Sequence, residues 1–186
     1  MDMPAVSMTP ERVRMTADEY LALPETTLPM NLIDGELIDR ATPTADHQSL
    51  VLQIAIVLKA KARALGGDAY IAPLDVRLDE FNVVQPDVLV ILPGSKCQII
   101  ENKLYGAPDL VVEVLSPSTG KLDHKRKFAL YERFGVREYW MVDPDALLIE
   151  VWVHDEVHLL RHGVYEQGEV MPSPLLGEIV VDSIFA

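Results

Sequence analysis

Apolar positions recur along the chain with two different periods, and the switches between them mark its elements. Between Asp46 and Leu65, the side chains of Leu50, Ile54, Val57, Leu58 and Leu65 fall on one stripe at helical spacing, and Gly66-Gly67 follows as a stop. The spacing predicts an amphipathic helix, and Lys59, Lys61 and Arg63 near its end complement the helix dipole. Upstream, NLIDGELIDR alternates apolar and polar residues around Asp34-Gly35, a hairpin-type turn pair, and predicts two short strands. The proline-bearing stretch from Met1 to Pro29 holds a short helical pattern, TADEYLAL, with Thr16 as cap and Glu19 three positions on. It reads as an arm that docks on the rest of the chain.

Downstream the period shortens to that of strands. The runs DAYIAPLDVRL and VVQPDVLVI are joined as a hairpin by the turn residues Asp79 to Asn82, and DLVVEVL is a third run. SPST then supplies capping side chains for a second helix, Lys121 to Phe134, stopped by Gly135. A fourth run, EYWMVD, pairs through Pro144-Asp145 with LLIEVWV, and from Asp155 onward short β-like pieces alternate with Gly and Pro. The order of elements predicts an α/β (α+β) protein with a central mixed sheet flanked by helices. A single domain over residues 1–186 is expected, with an N-terminal arm at 1–29 and a C-terminal β extension at 155–186.

Composition supports a packed core: of 186 residues, 49% are hydrophobic and 24% charged. A chain of this length buries roughly 70% of the surface its unfolded form exposes, so neither disulfides nor a structural metal is needed. Cys97 is the one cysteine, which precludes an internal bridge and reads as an inert thiol. The best apolar run, Leu50 to Leu58, is interrupted by Gln53 and too short for a membrane span, and the N-terminus lacks a signal-type apolar core. A cytoplasmic location is expected. The net charge of −13 argues against non-specific binding to nucleic acid, which relies on cations displacing counterions from phosphates. The segment KLDHKRK, Lys121 to Lys127, is a local exception.

Charge patterning brings in candidate chemistry. Glu113 stands in the middle of DLVVEVL, where a lone buried carboxylate costs several kcal/mol unless paired, metal-bound or protonated. A bond to Arg126 or to a backbone amide, or simple exposure on a one-sided strand, is the structural alternative. Asp87 directly follows Pro86, which cannot donate to a ladder and is confined in sheets to edges, strand starts and bulges. Two acids on neighbouring core strands repel unless a cation lies between them, and hard carboxylate oxygens suit Mg²⁺ or Mn²⁺. On the second helix Asp123, Lys127, Leu130, Tyr131 and Phe134 share one stripe, which turns Lys127 inward. The alternative is an exposed Asp123–Lys127 pair contributing about 0.3–0.5 kcal/mol. His47, ahead of the first helix, reads as structural, and Ser116 and Ser118 read as caps. Asp143, His154, His158 and His162 have no ligand-like spacing, while Trp140 and Trp152 read as core or dimer contacts.

An acid after proline, an acid inside an apolar strand and an inward lysine together resemble the PD-(D/E)XK nuclease superfamily. More narrowly, MTADEYLAL, LIDGEL, the helix after ADH, QPDVLVI, PDLVVEVLSPST, KFALYERFGVREYWMVDP and SPLLGEIVVDSIF resemble the Uma-two-type restriction endonuclease family over almost the whole chain. The resemblance implies a Mg²⁺- or Mn²⁺-dependent endonuclease acting on nucleic acid, DNA before RNA, with a homodimer as one assembly. It implies Asp87 and Glu113 as metal ligands, aided by the Val114 carbonyl, Lys127 as the active-site lysine and Glu36 as a further carboxylate. Ser116, Lys121, Lys125 and Arg126 would hold a neighbouring phosphate. Two positions depart from the pattern: Leu115 stands where the superfamily usually has its lysine, and Asn31 where the family often has glutamate. A catalytically silent interaction protein on the same fold, and a hydrolase of a small phosphorylated molecule, are the competing expectations.

Overall fold

The computed structural model describes residues 14–24, 30–39, 42–116 and 121–186, the side chains of 121–123 excepted. The chain opens with α1 (Ala17–Leu21), the hairpin β1 (Met30–Ile33) and β2 (Glu36–Asp39), and the long helix α2 (Ala45–Ala64). Next come β3 (Asp68–Ile71), β4 (Val76–Arg77), β5 (Val83–Val84), β6 (Val88–Ile91), β7 (Gln98–Ile100), β8 (Lys103–Tyr105) and β9 (Leu110–Val114). Helix α3 (Lys121–Phe134) then leads to β10 (Glu138–Asp143), β11 (Leu148–His154), β12 (Leu159–Glu166), β13 (Val170–Ser173) and β14 (Gly177–Val180).

The local signals explain most of these boundaries. Asp34 and Gly35 both take positive φ (51° and 79°), as a two-residue hairpin turn requires, and β1 pairs with β2 across them. Thr16 and Glu19 form the reciprocal capping box that starts α1. At the end of α2, Gly67 N–H donates to the Ala62 carbonyl and Gly66 N–H to that of Arg63, with Gly66 at φ 82°. The same pairing closes α3 at Gly135 and Val136.

The main sheet is mixed, in the order β12-β11-β10-β9-β6-β3, and β9 and β10 are its parallel pair, joined through α3. Every residue of β9 is buried. On one face Val51, Ile54 and Leu58 of α2 cover Val88, Val90, Leu110, Val112 and Trp140, with Met171 and Ile179 of the β13–β14 hairpin beside them. On the other face Leu130 and Tyr131 of α3 pack with Leu89, Val111 and Tyr139. Each such fully buried side chain contributes about 1.5–3 kcal/mol relative to exposure.

The structure departs from the sequence expectation in three places. There is a second six-stranded sheet, β2-β1-β5-β4-β8-β7, whose Ile33, Val76 and Val84 join the α3-side core. The predicted hairpin around Asp79–Asn82 therefore spans both sheets: β4 pairs with β5 in the second, while β3 pairs with β6 in the main one. Along α2 the buried stripe is Val51, Ile54, Ala55, Leu58 and Ala62, rotated from the expected one, and Leu65 is exposed because it forms the C-cap beyond the last turn. Past Asp155, β12 belongs to the main sheet, and only β13–β14 form a separate ribbon.

That ribbon is anchored by a carboxylate the sequence reading passed over. Glu138 is fully buried, and its oxygens accept from Trp140 Nε1 (2.7 Å), Ser173 Oγ (2.9 Å) and Leu175 N–H (3.1 Å). Burial pushes its carboxyl above the usual glutamate range, against the pull of those donors and of nearby His162.

Candidate functional site

The antiparallel register of β6 and β9 sets Val88 opposite Val112 and Leu89 opposite Val111. Asp87 directly precedes β6 and Glu113 follows Val112 in β9, where alternation turns Glu113 toward the α3 side of the sheet. Pro86 has no N–H to give, so the regular ladder stops there and the Asp87 side chain takes over: its Oδ2 accepts from Val114 N–H at 2.8 Å. The Asp87 carbonyl accepts from Ala72 N–H at 3.1 Å, which holds this residue from both neighbouring strands.

From α3, Lys127 Nζ donates to Glu113 Oε2 at 2.7 Å and Tyr131 Oη donates to Oε1 at 2.6 Å. Lys127 and Tyr131 are four residues apart, one helical turn, so a single face of α3 grips both oxygens of one carboxylate. Asp87, Glu113 and Lys127 are each at most 3% exposed. Arg126, the alternative partner of Glu113, instead donates to Glu36 Oε2 at 3.2 Å. Tyr131 lay on the stripe read from the sequence but carried no role there. Its signal was the need of a buried phenol for an acceptor, one turn from Lys127.

His47 comes closer to the chemistry than its sequence position suggested. Its N–H donates to the Thr44 cap at 3.2 Å, while its ring Nε2 lies 3.5 Å from Asp87 Oδ1. The helix start thus brings an imidazole to the carboxylate from the α2 side. Glu36, by contrast, is tied to the outer face of α3. Among the described residues no group of three or more His, Cys, Asp or Glu is arranged to hold a metal ion. Asn31 is buried in β1, where its Oδ1 accepts from Gln85 N–H at 3.0 Å and so steadies the segment leading into Pro86-Asp87.

Of the expected phosphate contacts, Lys125 is exposed on α3, and Arg126 and Ser116 are half-buried. Ser118 and the side chains of Lys121 and Asp123 lie outside the described residues. Lys125, Arg126, Ala129, Leu130 and Arg133 line a shallow groove with Asp34 of the β1–β2 turn. The remaining candidates stay apart from the carboxylates. Asp143 Oδ1 closes the β10–β11 turn by accepting from Asp145 and Ala146 N–H (3.0 and 2.9 Å), while His154 and His158 both approach Glu132. Trp140 is core, and Trp152 packs edge-on against Phe128 at 4.9 Å between ring centres. No helix among the described residues is long and apolar enough to cross a membrane.

The donor set suits a hard divalent ion. An ionised carboxylate offers about four lone-pair sites, so one donor on each Glu113 oxygen leaves acceptor capacity. Mg²⁺ is characteristically held by one or two protein carboxylates with waters and substrate phosphate completing its shell.

The fold has a solved counterpart. The crystal structure of a putative nuclease belonging to DUF820 from Anabaena variabilis superposes with a TM-score of 0.77 at 22% identity, over 92% of this chain and 97% of that one. No curated protein matches the sequence. The family profile described as "Uma2: Putative restriction endonuclease" matches residues 17–182, from α1 to the last turn after β14, and the chain belongs to that family.

Proposed function

We propose that this protein is a Mg²⁺- or Mn²⁺-dependent endonuclease that hydrolyses phosphodiester bonds in nucleic acid, with DNA as the first substrate to test. The observation that carries the reading is that the buried Asp87 carboxylate accepts from Val114 N–H, one residue from Glu113, while Lys127 Nζ contacts Glu113 at 2.7 Å. Asp87 and Glu113 would hold the ion, which when bound neutralises a phosphoryl oxygen and acidifies a water.

The other tasks fall to the chain itself. Val114 N–H and His47 restrain the Asp87 carboxylate from two sides, so its orientation is set before substrate arrives. Tyr131 and Lys127 do the same for Glu113. Lys127 has three donors and spends one on Glu113. The others can orient the attacking water and stabilise negative charge developing at the phosphorus centre, in surroundings where solvent competes little.

A second reading, a silent interaction protein, draws on the net charge of −13 and on how completely Glu113 is already bonded. One experiment separates them. Supercoiled plasmid, labelled oligodeoxynucleotide and RNA are incubated with the full chain in Mg²⁺, Mn²⁺ or EDTA, alongside Asp87→Asn and Glu113→Gln. Cleavage that needs the ion and vanishes in both folded variants supports hydrolysis. All substrates intact, with no Mn²⁺ binding by calorimetry, would sink it in favour of the silent reading.

A further inference from the structure

The outer face of α3 is out of character with the rest of the protein. Five of the 16 lysines and arginines, at 121, 125, 126, 127 and 133, fall within this one helix, in a chain of net charge −13. Lys127 turns inward to Glu113, whereas Lys125, Arg126 and Arg133 line the groove shared with Asp34. Two ion pairs span this region: Arg133 Nη2 to Asp34 Oδ1 at 2.9 Å and Arg126 Nη1 to Glu36 Oε2 at 3.2 Å. Both carboxylates come from the β1–β2 hairpin, and all four side chains remain a third or more exposed.

Pairs this exposed are weak and exchange readily with other anions. Arginine's planar fork matches phosphate as well as it matches carboxylate. Arg126 and Arg133 are seven residues apart, about 10.5 Å along the helix axis. That length matches the rise of about three base pairs along a duplex axis, at about 3.4 Å each.

We propose that this groove binds the phosphodiester backbone of the nucleic-acid substrate through Arg126, Arg133 and Lys125, and that Asp34 and Glu36 act as resident competing anions which the phosphates displace. Glu36 thereby has a role as a gate on the arginines rather than as a further ligand of the ion. The inference rests on the nucleic-acid reading above but concerns binding, not cleavage. Loading by exchange explains how an acidic protein engages a polyanion: the acids keep the groove nearly neutral until a strand replaces them.

The test is fluorescence anisotropy of a labelled oligonucleotide with the full chain in EDTA, so that nothing is cut, over a series of NaCl concentrations. Arg133→Gln and Arg126→Gln should each weaken binding and reduce the slope of log K against log salt by about 0.7–0.9, one phosphate contact. Asp34→Asn, which tolerates the positive φ of that turn, should bind about two- to five-fold more tightly. The proposal is overturned by unchanged affinity and slope in both arginine variants, by Asp34→Asn binding no better than wild type, or by polyglutamate of matched charge displacing the strand equally well. Binding without cleavage under Mg²⁺ or Mn²⁺ would remove the hydrolytic reading and leave the groove. Cleavage with an unaltered KM in both arginine variants would do the reverse.

Discussion

Replacing Lys127 by methionine removes the ammonium and keeps most of the apolar stem. At 2.7 Å and an effective dielectric constant of about 20, the gross attraction between Lys127 and Glu113 is about 6 kcal/mol. Desolvating two buried ions takes back several kcal/mol each, so the intact pair is close to neutral for stability. Breaking it is another matter. Glu113 would keep its bond from Tyr131 Oη at 2.6 Å but carry an uncompensated charge in a strand buried along its whole length. Lys127→Met should therefore lose about 3–5 kcal/mol, a large part of the about 5–15 kcal/mol typical of a folded domain. At about 2–4 °C per kcal/mol for a chain of this size, the melting point should fall by about 6–20 °C.

The paired change Glu113→Gln with Lys127→Met removes both charges and keeps an acceptor for Tyr131. It should return to within about 1 kcal/mol of wild type or exceed it. Urea unfolding followed by circular dichroism gives the free energies, and nuclease assays on the same preparations give the function. A single variant as stable as wild type would refute the account of the buried charge. A double variant that is stable and still cleaves would refute the catalytic role of the pair.

Glu138 provides a pH test of opposite sign to the usual carboxylate. Because its folded-state pKa is raised, the native protein holds more protons than the unfolded chain just above the ordinary value of 4.5. Its contribution to stability is therefore fully present below that value and declines as pH rises through the window toward the folded pKa. Urea midpoints of wild type minus Glu138→Gln should fall with rising pH there, and a difference that rises would contradict the assignment. Glu138→Ala, which strands the donors from Trp140, Ser173 and Leu175, should cost at least about 2 kcal/mol and open β13–β14 to limited proteolysis. Burial, and next the Asp109 carboxylate, push the Cys97 thiol from 9.0 up to about 11, so at pH 8 it carries about a hundredfold less thiolate than an unperturbed cysteine. A coloured disulfide reagent should label it slowly in the native protein and at once in denaturant; equal rates would count against its burial.

What could be read from the residues alone was local. The hairpin at Asp34-Gly35, the two helix stops at Gly66 and Gly135, and the limits of α3 at Lys121 and Phe134 all followed from turn chemistry and periodicity. These depend only on φ and ψ preferences and on which residues lie one turn apart, so a short window of sequence contains the information. The inward direction of Lys127 was legible for the same reason, and the acids at Asp87 and Glu113 stood out because charge inside a β-branched run is expensive.

Which groups those side chains would meet was decided only when the strands assembled. Arg126 and Lys127 are adjacent in sequence, yet one reaches Glu36 on the second sheet and the other Glu113 in the main one, because successive helix positions point about 100° apart. The approach of His47 to Asp87 and the carboxylate latch of Glu138 on Ser173 join residues separated by long stretches of chain. Such contacts are selected by the packing of whole layers against one another, since burial rewards the arrangement that satisfies all faces together. No window of a few residues encodes that choice.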